Sequence, residues 1–210
     1  MASLRWPLRV IITALLIFVI YTGLRALSEA YDNGGFPEAL AIKVELLPLI
    51  FPVHMSAGGL SLLLVPATIY LRRTRFHKIF GRIAAIDILL AGVTAPFVAW
   101  AAPVTIISAA GFTAQSLVWM GLLTAGIWNI TRGRVNAHQT CMLLMAAVTS
   151  GALFFRIYLA LFARFGNHHS FNNFYALNAW IAWTLPLIMT FVFARGSGRR
   201  KGPIERSEMG

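Results

Sequence analysis

Six apolar runs separated by short polar breaks organise the chain. They cover roughly residues 8–28, 46–71, 80–101, 109–130, 139–163 and 173–194. A helix needs about 20 predominantly apolar residues to cross the hydrocarbon of a bilayer, and each run reaches that length. The chain therefore reads as all-α, a polytopic transmembrane helix bundle of about six spans. Four of the five breaks are clear. Residues 28–45 are acidic and turn-rich, with Asp32-Asn33-Gly34-Gly35 and Pro37; 72–78 are basic; 131–137 carry Arg132 and Arg134; 166–173 are polar. The fifth break, at 102–108, has only Pro103 to mark it. Without a turn there, spans three and four would fuse into a helix far longer than the bilayer is thick.

Lysine and arginine fall unevenly across these breaks. With the N-terminus inside, the inner segments hold Arg5, Arg9, Arg72, Arg73, Arg75, Lys78, Arg82, Arg132, Arg134, Arg195, Arg199, Arg200, Lys201 and Arg206. The outer segments hold Arg25, Lys43 and Arg164, together with Glu29, Asp32, Glu38 and Glu45. Fourteen against three predicts both termini on the cytoplasmic side. Residues 1–195 read as a single transmembrane domain and 196–210, polar and charge-rich, as a disordered basic tail. The first run is too long for a signal-peptide core and has no convincing small-residue cleavage site, so it is expected to remain as a helix. No internal repeat is visible.

Composition agrees with the pattern. The 210 residues are 58% hydrophobic and 12% charged, with a mean hydropathy of +0.72, whereas soluble domains carry about 25% charged residues. A formal charge of +11 would suggest nucleic acid in a soluble protein. Here the basic residues flank apolar runs. The expected partners are thus the lipid bilayer and, at the basic cytoplasmic loops, anionic lipid headgroups, with no nucleic acid. Cys141 is the single cysteine, which excludes an internal disulfide, a CxxC pair and a cysteine-held iron–sulfur cluster.

Against that apolar background the ionisable residues sort by depth. His54 falls ~12 Å below the outer end of span two at 1.5 Å per residue. His77 and His138 sit at the inner ends of spans three and five, among Arg75, Lys78, Arg82 and Arg134. Arg156 is five helical turns beyond His138, on the same face and ~27 Å away. An inner layer of His77 and His138 and an outer layer of His54 and Arg156 result, with Trp180 and Trp183 near the outer depth and Asp87 between. Charged groups within the hydrocarbon are costly and turn inward, so Arg156 and Asp87 mark a polar interior. Three faces support one: His54, Ala57, Gly58 and Ser61; Gln115, Trp119, Leu122, Gly126 and Asn129; and His138, Met142, Met145, Thr149, Ala152 and Arg156.

Each group also has a plain structural role open to it. The inner histidines could cap helices or touch lipid phosphate, and His54 could bond helices together. Arg156 could bond carbonyls or snorkel, and Asp87 could pair with an arginine. The methionines suit a core, His168-His169 a solvated loop, and the span-six tryptophans an interfacial belt.

The order of these motifs resembles the bacterial predicted-membrane-protein family called domain of unknown function 2306. That family's pattern has a histidine opening one helix, matched by His54, and His-Arg-x-x-Gly-Arg starting the next, matched by 77–82. A later His-Arg-x-Trp-Met is matched by His138-Gln139-Thr140-Cys141-Met142, an arginine along that helix by Arg156, and Trp-x-x-Trp by Trp180 and Trp183. Lys78, Gln139 and Cys141 depart from it. The resemblance spans about 51–194 and implies a multi-pass protein of the bacterial inner (plasma) membrane.

Two functions fit. In the first, His77 and His138 hold haem b or a metal for electron transfer, with basic neighbours for the propionates and His54 as a further candidate ligand. In the second, a non-enzymatic transport, sensing or assembly protein binds an anionic or lipid-like ligand in the interior around Arg156, Asp87 and Gln115. An intramembrane hydrolase has least support, since no HExxH and no partnered serine or cysteine is visible.

Overall fold

A computed structural model describes residues 38–199, together with residues 13, 17, 20 and 21. The first expected span, 8–28, and the tail beyond 199 lie outside the described residues, apart from those four positions.

Among the described residues from 38 on, six α-helices follow in order: α1 (Glu38–Leu46), α2 (Ile50–Tyr70), α3 (His77–Trp100), α4 (Ile106–Thr131), α5 (Val135–Phe165) and α6 (Phe171–Arg199). Five of them, α2 to α6, are long and apolar enough to cross a membrane. The described part is all-α and fits the expected transmembrane bundle. Helix α1 was not foreseen, because the 28–45 break was read as turn. Its sequence, EALAIKVEL, is built of strong helix formers. Pro48 follows it, and a proline lacks the N–H that would continue a helix. The second span therefore begins at Ile50, not 46, and His54 lies only ~6 Å from its start. Helix α6 continues to Arg199, so the first residues of the expected tail are helical.

The turns have local causes. The weakly marked break after α3 is fixed by a capping box: Thr105 Oγ1 accepts from the Ser108 N–H at 3.0 Å, and Ser108 Oγ accepts from the Thr105 N–H at 3.2 Å. Ala102 turns the chain there with φ of 47°. Between α4 and α5, Gly133 takes φ of 71°. Its N–H bonds to Ile130 O at 3.1 Å, and the Arg134 N–H reaches back to Asn129 O at 2.9 Å. That pair of bonds is a Schellman closure, which needs a left-handed residue.

Helices α2, α3, α4 and α5 pack in sequence, and α5 returns to α2, so the four close a ring. Each contributes one residue to the central cluster: Val65, Ile88, Leu123 and Met145. Helix α6 packs outside the ring against α4 and α5, where glycines let it approach. At Gly111 the near atoms belong to Ala179 and Trp180; at Gly151 they belong to Trp183 and Gln115. The outward face of α3 is a stripe of exposed Ile79, Ile83, Ile86, Leu90, Val93 and Phe97, the pattern of a lipid-facing helix side. The turns carrying Arg72–Arg73 and Arg132–Arg134 lie at one end of the bundle, its basic end; α1 lies at the other.

Candidate functional site

The α2–α3 hairpin presents polar groups at three levels. His54, Ser61 and Thr68 recur every seven residues on α2, so they share one face. At the far end, His54 Nδ1 lies 3.1 Å from Ala91 O and 3.2 Å from Thr94 Oγ1. A carbonyl can only accept, so Nδ1 carries the proton. Thr94 spends its own proton on Leu90 O at 2.6 Å. In the middle, Ser61 Oγ donates to Asp87 Oδ2 at 2.7 Å, both residues being buried. Asp87 is thereby seated by a serine on the facing helix. At the basic end, His77 Nδ1 donates to Thr68 O at 3.1 Å.

Helix α5 carries the next set. Gln115 Nε2 donates to Val148 O at 3.3 Å and Trp119 Nε1 to Thr149 Oγ1 at 2.9 Å, tying α4 to α5. His138 Nδ1 donates to Gly126 O at 2.9 Å, in the last turns of α4. Arg156 Nη1 donates to Ala152 O at 3.1 Å, one turn back on its own helix. On α6, Trp183 is 5% exposed, packed against Gly151. That corrects the interfacial-belt reading for this residue: the missing side chain at Gly151 lets the Trp183 Cα and Cβ approach α5 inside the bundle. His169 is exposed in the short 3-10 turn His168–Ser170.

The far end of the bundle gathers positive charge. Arg156 of α5 and Lys43 of α1 both act electrostatically on His54 of α2. Lys43 is 8% exposed. Its Nζ donates to Val98 O at 2.7 Å and Ala101 O at 2.6 Å, the carbonyls that close α3. These are the negative end of a helix dipole, where a cation is favoured. Burial nevertheless holds the ammonium below its ordinary value of 10.5. Sequence reasoning counted Lys43 as an outer-loop cation. The available signal was a single lysine inside the apolar stretch AIKVEL. Asn178 was also passed over: it is fully buried, its Nδ2 donates to Phe155 O at 3.1 Å, and its Oδ1 has no hydrogen-bond partner among the described residues.

The inner histidines are each engaged by their own hairpin, His77 by α2 and His138 by α4. Among the described residues no three side chains of His, Cys, Asp and Glu come together as a metal site. Around them Arg75 lies over the Phe76 ring at 5.0 Å and Arg132 over the Trp128 ring at 3.9 Å.

Comparison with known proteins gives one family. The family model described as "Predicted membrane protein (DUF2306)" matches residues 51–194, which takes in α2 to α5 and most of α6. No curated protein and no solved structure matches the chain.

Proposed function

We propose that this chain, which belongs to the predicted membrane protein family DUF2306, binds an anionic or lipid-like ligand at the far end of its bundle, as a non-enzymatic transport, sensing or assembly protein. The observation that carries this reading is that Lys43 of α1, buried at the end of α3, and Arg156 of α5 both act electrostatically on His54 of α2. Basic groups that act on one another in a poorly solvated region repel, and an anion placed among them relieves that repulsion. Ionisable residues at membrane depth commonly mark ligand paths. The asymmetry of Lys and Arg supports a plasma-membrane orientation with both termini cytoplasmic, which puts this cluster toward the outer leaflet. The described helices and the expected first span then form one transmembrane domain. The basic end supports contact with anionic headgroups on the cytoplasmic side.

The test is a thermal-stability titration of the detergent-purified protein with short-chain phosphatidylglycerol, phosphatidylcholine and inorganic phosphate. A ligand that binds only the folded state raises stability with concentration. Phosphatidylglycerol or phosphate should stabilise the wild type, and Lys43→Met should lose most of that response. An equal response in both proteins, or none in the wild type, rejects the site.

The electron-transfer reading has one observation behind it. Both inner histidines keep the proton on Nδ1, which leaves Nε2 as the free acceptor, the form a ligating imidazole takes. Two axial ligands must also meet at one iron, and these rings are directed to carbonyls of two different helices. A reduced-minus-oxidised spectrum with a haem band that His138→Ala abolishes and His169→Ala keeps would restore it.

A further inference from the structure

A single carboxyl side chain belongs to the apolar helices. The chain has seven acidic residues, and between Glu45 and Glu205 the only one is Asp87. It stands ten residues into α3, ~15 Å from the start of the helix and ~20 Å from its end. That is near the middle of a hydrocarbon layer of ~30 Å. The residue is 7% exposed and adjoins Ile88 of the central cluster. Ser61 of α2, 1% exposed, donates to its Oδ2 at 2.7 Å. Among the described residues no cation pairs with this carboxyl, and Ser61 is its hydrogen-bond partner. The titratable groups on the packed elements are spent or set apart. On α2 they are His54, which bonds to Ala91 and Thr94 one and two turns farther along α3, and the exposed Tyr70. Helix α4 carries none. On α3, Arg82 is ~7.5 Å away along the axis and on another face. His77, Lys78, Arg72 and Arg73 lie beyond it at the basic end. On α5, Met145 reaches the cluster, and His138, Cys141 and Arg156 stand one to three turns to either side of Met145.

We propose that the Ser61–Asp87 pair binds one exchangeable proton inside the membrane, with Asp87 holding it as the neutral acid at neutral pH. A carboxylate away from water persists when a cation or several N–H donors hold it. Here a single hydroxyl does so. A group without such support takes up a proton in place of bearing the charge. The serine suits both states, because a hydroxyl donates to a carboxylate and accepts from a carboxylic acid. The 2.7 Å contact therefore survives proton uptake and release with its direction reversed, and α2 and α3 stay joined in either state. Joining the helices does not by itself call for a carboxyl. An asparagine or threonine at 87 would bond Ser61 with no charge to keep out of lipid. What the carboxyl adds is a proton that can leave. Ionisable side chains at this depth are the groups with which membrane proteins take up and pass protons. The site uses neither Lys43 nor Arg156 and is independent of the anionic-ligand reading.

The experiment is an infrared difference spectrum of the detergent-purified full chain, wild type minus Asp87→Asn, followed as the pH is raised. Asparagine keeps a bond to Ser61, and gel filtration verifies that the variant is folded. At neutral pH the wild type should show the C=O stretch of a protonated acid that the variant lacks, and alkaline pH should replace it with carboxylate bands. Reaction with dicyclohexylcarbodiimide, an apolar reagent for protonated carboxyls, gives a second readout by peptide mass. The acid O–H adds across one C=N bond: oxygen bonds the central carbon, the proton goes to nitrogen, and the acyl group then migrates to nitrogen. The adduct holds the whole reagent and nothing leaves. Wild type at neutral pH should carry one reagent per chain on the Asp87 peptide, less as pH rises, and Asp87→Asn should carry none there. Carboxylate bands for Asp87 at neutral pH overturn the site, whatever the reagent does. So does an acid band that no pH removes, or an Asp87 adduct whose yield ignores pH.

Discussion

Replacing Gly151 by alanine tests the way α6 is held to the ring. A Cβ at this position would lie 2.7 Å from Trp183 Cβ, 3.1 Å from Trp183 Cα and 2.9 Å from Gln115 Nε2. Carbon atoms in ordinary contact sit about 3.5–4.0 Å apart. The deficit to Trp183 Cα is against backbone, so no rotamer change relieves it. Helix α6 must retreat by roughly half an ångström or more, loosening the Trp183 packing and the Gln115 bond to Val148 O. Overpacking of this kind costs about 1–3 kcal/mol. A glycine-to-alanine change in a helix also returns about 0.5–1 kcal/mol of backbone entropy, which must be subtracted. Gly121, on α4, supplies that subtraction: a Cβ there meets nothing within 4 Å. Gly121→Ala should therefore be neutral to slightly stabilising. The gap between the two variants isolates the clash, about 1–3 kcal/mol, which in a domain of this size corresponds to roughly 2–12 °C in Tm. The assay is thermal unfolding of both variants in one detergent. Equal shifts for Gly151→Ala and Gly121→Ala would refute the argument that α6 is seated through the missing side chain at 151.

Two further outcomes follow from the polar seams. Lys43 has a folded value lowered by burial, so the unfolded chain holds this proton more tightly. Stability should then rise with pH through the window between the lowered folded value and 10.5; Lys43→Met should lack that slope, and parallel wild-type and variant Tm–pH curves would contradict the burial. Ser61→Ala strips the buried Asp87 carboxyl of its 2.7 Å hydrogen bond and should destabilise by about 1–3 kcal/mol, with a Ser61→Ala/Asp87→Leu double variant recovering part of the loss in the same thermal assay.

The long apolar runs made the spanning helices legible, because crossing a bilayer demands length and hydropathy together. What a run cannot show is which neighbour receives its polar groups. Asp87 was visible as a costly carboxyl, but its partner Ser61 depends on the antiparallel register of α2 and α3. The depth of His77 and His138 was readable, yet each follows a tight turn, which sets it beside the last carbonyls of the preceding helix. That proximity decides their bonds to Thr68 and Gly126 before any shared site can. Lys43 was lost for a different reason: charge counting treats a lysine between spans as solvated, and only the fold reveals that α1 carries it to the end of α3. The break at 102–108 looked faint because its signal is a Thr–Ser reciprocal cap, not proline or glycine.

The seven-residue recurrence of His54, Ser61 and Thr68 has a mechanical consequence. Their partners on α3 stand at three separate depths, so sliding one helix past the other by a single turn, 5.4 Å, breaks every rung together. At about 1 kcal/mol or more per rung, and more for the one to a carboxyl, the hairpin has one register and no cheap neighbouring one. It behaves as a stiff lever. Lys43 adds a clamp at its far tip by holding the end of α3.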